Sequence, residues 1–149
     1  MAIDAIDKKI LNMLLASGRV SYTDIAKAVD MKPPSIIDRI KKMENEGLIR
    51  GYTAIVDYQK LGYDLNAFVG IAVENHKHVV MLEKSFKDVD DSIIGCYHVT
   101  GEFTLMLRII TENTQTLAAL IKKLRAINGV TKTNTILIFS TMHEQMRGI

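Results

Sequence analysis

Basic side chains are concentrated in one short stretch of the sequence. Between Lys32 and Lys42 there are four basic residues against one acidic residue, Asp38. Lysine and arginine bind phosphate oxygens, and arginine and serine also reach the edges of bases. The stretch therefore predicts contact with nucleic acid. The candidate contact residues in and near it are Tyr22, Lys32, Pro34, Ser35, Arg39, Lys41 and Lys42.

Two of these candidates are predicted to reach the bases. We expect Ser35 and Arg39 to contact base edges or adjacent phosphates, and the others to follow the phosphate backbone. Arg39 has an alternative role, because Asp38 and Glu46 are nearby ion-pair partners. Base contact, phosphate contact and a structural ion pair are all open for Arg39.

A helix predicted over residues 33–46 must position these side chains. Two prolines suit its first turn and Gly47 suits its end. The opposite, apolar side consists of Ile36, Ile37, Ile40 and Met43. A rod about 21 Å long fits a major groove about 12 Å wide. The pattern alone is also typical of a solvated amphipathic helix.

The elements that precede this helix favour contact with DNA over a solvated amphipathic helix. A helix over residues 21–29 has the spacing of a capping box between Ser21 and Asp24. Only three residues separate it from the next helix, so the pair predicts a helix-turn-helix, in which the second helix reads bases. A helix over residues 4–17, capped by Asp4, completes a small core.

The spacing of the apolar residues changes after Gly47. Residues 51–64 indicate a linking strand and a turn, and residues 65–149 alternate between strand patterns and helical stripes at 77–89 and 114–127. The predicted order is βαββαβ, a ferredoxin-like sandwich. The predicted fold class is therefore α+β, with a winged-helix-like domain over residues 1–50.

The predicted sheet has two apolar faces. Its first strand offers Val69 and Ile71 on one face, and Phe68 and Ala72 on the other. Two helices cover one face, and strands that are apolar on both sides are usually buried on both. A second copy of the chain is the predicted cover, and a homodimer also suits a palindromic site.

Composition narrows the functional class. Basic residues exceed acidic ones by 19 − 17 = 2, which argues against coating DNA by charge alone. No membrane span or signal peptide is recognisable, and the single Cys96 fits a reducing compartment, so we predict a cytoplasmic protein. Glu74, His76 and His78 have ligand-like spacing, but they straddle a strand end without a fourth ligand. We predict no metal, no cofactor and no enzymatic activity, since catalytic motifs are missing.

The sequence resembles the Lrp/AsnC family of transcription regulators along nearly its whole length. The stretches that carry the resemblance are IDKKIL at 6–11, RIKKMENEGLIRGYTAIVD at 39–57 followed by LGY, and HVTGEFTLMLRI at 98–109. The resemblance implies a DNA-binding domain, a linking strand and an αβ domain, residues 65–149, that dimerises. It also implies assembly of dimers, commonly to octamers, and in many members a free amino acid bound between dimers.

The turn after the second strand is the candidate effector site that this resemblance implies. Amides in a glycine turn can hold a carboxylate. The candidates there and on the last strand are His98, Val99, Thr100, Gly101, Glu102, Thr104, Thr133, Asn134 and Thr135. A glycine turn and alternating threonines are equally typical of a sheet without a ligand.

Three positions depart from the family pattern. Asp30 replaces a glycine in the turn, and aspartate tolerates left-handed torsions better than most residues. Lys32 replaces a capping serine and sets a positive charge at the positive end of the helix dipole, which a nearby phosphate would offset. Thr104 replaces an aspartate that would pair with an amino group, so the resemblance alone does not establish an amino-acid effector.

Three functions fit these patterns. The first is a sequence-specific transcriptional regulator that binds double-stranded DNA, with an amino-acid effector left open. The second is an architectural protein that wraps DNA with little sequence specificity. The third is a small-molecule sensor subunit that does not bind DNA and uses the first three helices for assembly alone.

Overall fold

The computed structural model describes residues 2–75, 79, 86 and 88–144. The chain divides into two compact units, one extending to Val56 and the other spanning Asp57–Met142. The described residues include no helix that is both long and apolar enough to cross a membrane.

The first unit is formed by three helices. They are α1 (Ala5–Ala16), α2 (Tyr22–Ala28) and α3 (Pro33–Asn45). Asp4 caps α1 and forms a reciprocal capping box with Asp7. The Ser21 Oγ accepts a hydrogen bond from the Asp24 N–H at 3.0 Å at the start of α2. Both predicted caps are confirmed, because each depends on residues only three positions apart.

The corner between α2 and α3 has left-handed backbone geometry at Asp30, where φ is 53°. The Met31 N–H donates to the Ala26 carbonyl at 2.9 Å and closes the end of α2. Lys32 then stands at the N-cap of α3 without a side-chain hydrogen bond, followed by the two prolines. Aspartate therefore supports the conformation for which glycine is the usual residue.

The apolar sides of the three helices meet in one core. The prediction for α3 is confirmed, except that Ile37 is only half-buried. The buried residues of this core are Ile10, Leu11, Ile25, Ala26, Ile36, Ile40 and Met43. Fixing one side of α3 in the core determines which residues the other side presents to solvent.

The stretch predicted to be a linking strand pairs with no other strand among the described residues. Residues 51–57 form no hydrogen-bonded ladder, and a 3-10 helix, Gln59–Leu61, follows them. Ile55 is 94% exposed. A segment with extended sequence preference needs a neighbouring strand to become part of a sheet, and the part of the chain that the structure describes supplies none here.

The second unit contains the predicted four-stranded sheet. Its elements are β1 (Leu65–Val73), β2 (Ile93–His98), β3 (Leu105–Thr111), α4 (Thr114–Arg125) and β4 (Val130–Ile138). The strand order is β2-β3-β1-β4, and the neighbouring strands are antiparallel. This is the order of two split βαβ units. The helix predicted over 77–89 lies largely outside the described residues, although Val79 and Phe86 are buried in the core of this unit.

The two faces of the sheet differ in their cover. Val69 and Ile71 of β1 pack with α4 in a buried core. The open face, which carries Phe68, Gly70 and Ala72, points the other way because strand side chains alternate. On this open face Tyr97 is 50% exposed and Ile136 is 48% exposed. Large apolar side chains are thus left in contact with solvent on one face of the isolated chain.

Candidate nucleic-acid interface and effector turn

The exposed side of α3 carries most of the predicted contact residues. Lys32, Pro34, Lys41 and Lys42 are exposed, and Ser35 is half-buried. Tyr22, the first residue of α2, is 45% exposed. The structure therefore presents a continuous polar surface from the first turn of α3 to its last, on the side opposite the core.

The exposed side of α3 has two flanks. At 3.6 residues per turn, Ser35, Asp38 and Lys42 lie on one flank, whereas Pro34 and Lys41 lie on the other. The flank with Lys42 borders a pocket of about 400 Å³ lined by Ala2, Asp4, Asp7, Asp38, Arg39 and Lys42. The pocket is lined by three carboxylates and two basic groups. Pro34 and Lys41 lie outside this pocket.

Arg39 is engaged in an ion-pair network with α1. Its Nη1 donates to the Asp4 Oδ2 at 2.8 Å and to the Asp7 Oδ1 at 2.7 Å. The structural ion pair, one of the three roles left open for Arg39, is thus observed, but with Asp4 and Asp7 as the partners, which the sequence had not suggested. Adjacent helical residues do not face each other, and a residue seven positions away lies about 10 Å along the axis. Partners on α1 became visible only once the helices were packed.

This network changes the acidity of its members. The hydrogen bond from the Asp7 N–H and the guanidinium of Arg39 hold the pKa of Asp4 below its usual value. The hydrogen bonds to Asp4 and Asp7 raise the pKa of Arg39. Arg39 therefore keeps its charge, but that charge is directed towards α1. Its side chain is only 29% exposed.

A contact that the sequence did not predict lies near the end of α3. The Tyr52 hydroxyl donates to a Glu44 carboxylate oxygen at 2.8 Å. Burial, together with this hydrogen bond, raises the pKa of Tyr52 to about 12. The contact fixes the chain that leaves the first unit against the helix that carries the basic surface.

The candidate effector turn connects β2 to β3. The Val99 N–H donates to the Thr104 carbonyl at 3.0 Å, and the Thr104 N–H donates to the Ile71 carbonyl at 2.9 Å. Gly101 has φ 108°, which favours glycine. Thr104 lies just before β3, and its backbone N–H and carbonyl are both already engaged within the chain.

The structure does not bring the nine effector candidates together within one chain. Thr133 and Thr135 are register partners of Ile71 and Val69, so they lie on the face packed against α4. Asn134 lies on the open face. The Nε of Arg125 donates to the Thr133 Oγ1 at 2.9 Å. The three consecutive candidates on β4 are therefore divided between the two faces.

Side chains that were not predicted hold the effector turn on the open face. Lys132 forms an ion pair with Glu102. Its Nζ also lies 5.6 Å from the centre of the Phe103 ring, within cation–π distance. The Phe103 ring in turn packs on Gly70. The carboxylate of Glu102 is thus already paired with a lysine of the same chain.

The predicted metal pattern lies mostly outside the described residues. His76 and His78 are not among them, so the trio with Glu74 is untested. Within the part of the chain that the structure describes, no cluster of three or more histidine, cysteine, aspartate or glutamate residues could hold a metal ion. Cys96 is half-buried and packs against the core of the second unit.

Comparison with known proteins gives matches over both units. The profile described as the Lrp/AsnC ligand binding domain matches residues 66–147, and that described as a winged helix-turn-helix DNA-binding domain matches residues 3–50. An uncharacterised helix-turn-helix transcriptional regulator of Pyrococcus horikoshii is 35% identical over 147 residues, which is 99% of this chain and 98% of the relative.

Two solved structures show the same fold over the whole chain. The structure of Escherichia coli AsnC is 25% identical, covers 100% of both chains and superposes with a TM-score of 0.91. The feast or famine regulatory protein of Mycobacterium tuberculosis, in complex with L-methionine, is 23% identical, covers 98% of each chain and has a TM-score of 0.91.

Proposed function

This chain belongs to the Lrp/AsnC family of transcriptional regulators, and from that premise we propose that the exposed side of α3 is its contact surface for double-stranded DNA. The observation that carries the proposal is the packing of α3. Its apolar residues are fixed in the core, so Lys32 at its start and Lys41 and Lys42 in its last turns face solvent. A helix presented in this way by a helix-turn-helix fits the major groove.

The contact residues have separate roles in this proposal. Ser35, in the first turn of α3, contacts base edges or the neighbouring phosphates. Lys32 and Lys41 bind phosphates, with Pro34, Lys42 and Tyr22 alongside the backbone. A phosphate at the start of α3 also offsets the unfavourable charge of Lys32 against the helix dipole. DNA is then the group that stabilises the uncapped start of this helix.

The second unit is proposed to dimerise through the open face of its sheet. A second copy packed there would bury Tyr97, Ile136 and the side chain of Phe68. Two copies would then present two α3 helices to a palindromic site. Assembly of dimers to an octamer and action in the cytoplasm complete the proposal.

An amino acid is the proposed effector, bound at the turn 98–104 between copies of the chain. The relative from Mycobacterium tuberculosis supports this class of ligand, because it was solved with L-methionine. Since Thr104 is not acidic and Glu102 is paired with Lys132, neither side chain offers the ammonium group a free carboxylate within the chain. Calorimetry with L-methionine and the other nineteen amino acids tests this. Heat from one of them supports an effector, and no heat from any of them removes it.

Selection of duplexes from a random-sequence library tests the DNA-binding function. A regulator enriches a defined sequence and protects a defined site in footprinting, with weaker binding to a scrambled duplex. A wrapping protein enriches no sequence and gives broad protection with helical periodicity. No binding to any duplex at low salt would leave the sensor as the function.

A further inference from the structure

We propose that Arg39 is a positioning residue for DNA binding, and that together with Asp4 and Asp7 it fixes α3 relative to the start of α1. We call these three residues the clamp. The inference rests on the proposed function, because it assumes that α3 contacts DNA. It assigns Arg39, which has the residue type of a DNA contact, to a role that acts through other residues.

The clamp uses every carboxylate oxygen of its two aspartates. One oxygen of Asp4 accepts from the Asp7 N–H at 2.7 Å and the other from the Arg39 Nη1 at 2.8 Å. One oxygen of Asp7 accepts from the Asp4 N–H at 3.1 Å and the other from the same Nη1 at 2.7 Å. The capping box of α1 and the side chain of Arg39 therefore form one closed network.

The burial of Asp7 determines which partner Arg39 keeps. The side chain of Asp7 is only 3% exposed, so its charge depends on the partners that the fold supplies. Arg39 is the cation that satisfies it. A DNA phosphate that drew Arg39 away would leave a buried carboxylate without its cation, which is strongly unfavourable. Arg39 is therefore held by α1 when α3 approaches DNA.

The charges around Arg39 also disfavour a phosphate at this place. The pocket beside it contains the carboxylates of Asp4, Asp7 and Asp38 against the cations of Arg39 and Lys42. A phosphate entering this pocket meets an excess of negative charge. Lys41, on the opposite flank, is exposed and is not part of this pocket, so it is the matched control for a direct phosphate contact.

The test compares Arg39→Gln, Asp7→Asn, the double variant and Lys41→Gln in the full-length chain. Each is titrated, over a series of salt concentrations, with the duplex selected from a random library and with a scrambled duplex of the same composition. The clamp predicts that Asp7→Asn and Arg39→Gln each weaken binding to the selected duplex about tenfold, or about 1.4 kcal/mol. The double variant should lose little more than either single one, because the residues act together.

Two readouts separate positioning from contact and from simple loss of stability. In the clamp variants the slope of log affinity against log salt should stay unchanged, and affinity for the scrambled duplex should fall less than affinity for the selected one. Lys41→Gln should reduce the slope by about 1 and weaken both duplexes alike. Partial unfolding would also weaken both duplexes alike. Asp4→Asn, at the more exposed end of the clamp, provides a milder variant if Asp7→Asn does not fold.

A direct contact between Arg39 and a DNA phosphate would give a different result. If Arg39 contacts phosphate, Arg39→Gln lowers the slope by about 1 and Asp7→Asn strengthens binding by freeing a cation. Either outcome overturns the clamp. If Lys41→Gln and Arg39→Gln both leave slope and affinity unchanged while the chain still binds DNA, the DNA contact is not on α3, and the proposed function of this surface fails first.

Discussion

The ring of Phe103 lies directly on the backbone of Gly70, so that a Cβ added to Gly70 would stand 2.7 Å from two ring carbons. This contact joins the turn between β2 and β3 to the centre of β1. The absence of a side chain at Gly70 is what allows the ring to lie there. The position of the proposed effector turn therefore depends on a glycine that is distant in sequence.

Gly70→Ala is expected to destabilise the second unit by about 1–3 kcal/mol, because the added methyl group must displace the Phe103 ring. Chemical denaturation measures this loss. Gly18→Ala is the control, since a Cβ there meets nothing within 4 Å. Equal stability of the two variants would show that Phe103 does not occupy this position in solution.

Dimerisation through the open face makes a prediction about two adjacent residues of β4. Ile136 lies on the open face and Leu137 on the face towards α4, and they are 48% and 41% exposed. Ile136→Lys should shift the protein towards monomers, because it buries a charge in the interface. Leu137→Lys should not. Sedimentation measures both, and if only Leu137→Lys dissociates the assembly, the opposite face is the interface.

Tyr52 is expected to ionise at unusually high pH in an ultraviolet titration. Burial and the Glu44 carboxylate raise its pKa to about 12. Glu44→Gln should lower that pKa, yet leave it above the usual value of about 10, because burial persists. The stability that this tyrosine contributes is present below about pH 10 and is lost as the pH rises through about 12.

Tyr52→Phe identifies the late-titrating group in that experiment. Its spectrum should lack the component that ionises near pH 12. A late component that survives in Tyr52→Phe would assign the raised pKa to another tyrosine.

The helices and strands could be predicted because their signals are local. The caps at Asp4 and Ser21 act over three residues, and the apolar period of α3 is readable within a few turns. The left-handed torsion at Asp30 was likewise expected, because the family usually has glycine at this position and aspartate tolerates such torsions. Fold class followed from the order of these elements, because few topologies accommodate it.

The contacts of the site could not be predicted in the same way. Arg39 meets Asp4 and Asp7 across 35 and 32 positions, and Phe103 meets Gly70 across strands. Such contacts depend on angles and registers that no local pattern contains. The error of grouping Thr133 and Thr135 with Asn134 in one site could have been avoided from the sequence. Side chains alternate along a strand, so Asn134 points to the face opposite the two threonines.

Photo-crosslinking from α3 tests most directly whether this helix contacts DNA. Replacing Ser35 or Lys41 with p-benzoylphenylalanine should give crosslinks to the selected duplex, whereas the same replacement at Lys122, exposed on α4, should give none. As a control, all three variants must still bind the selected duplex in a titration. Crosslinks from Lys122 alone, with none from Ser35 or Lys41 in complexes that still form, would contradict the assignment of α3 as the helix that contacts DNA.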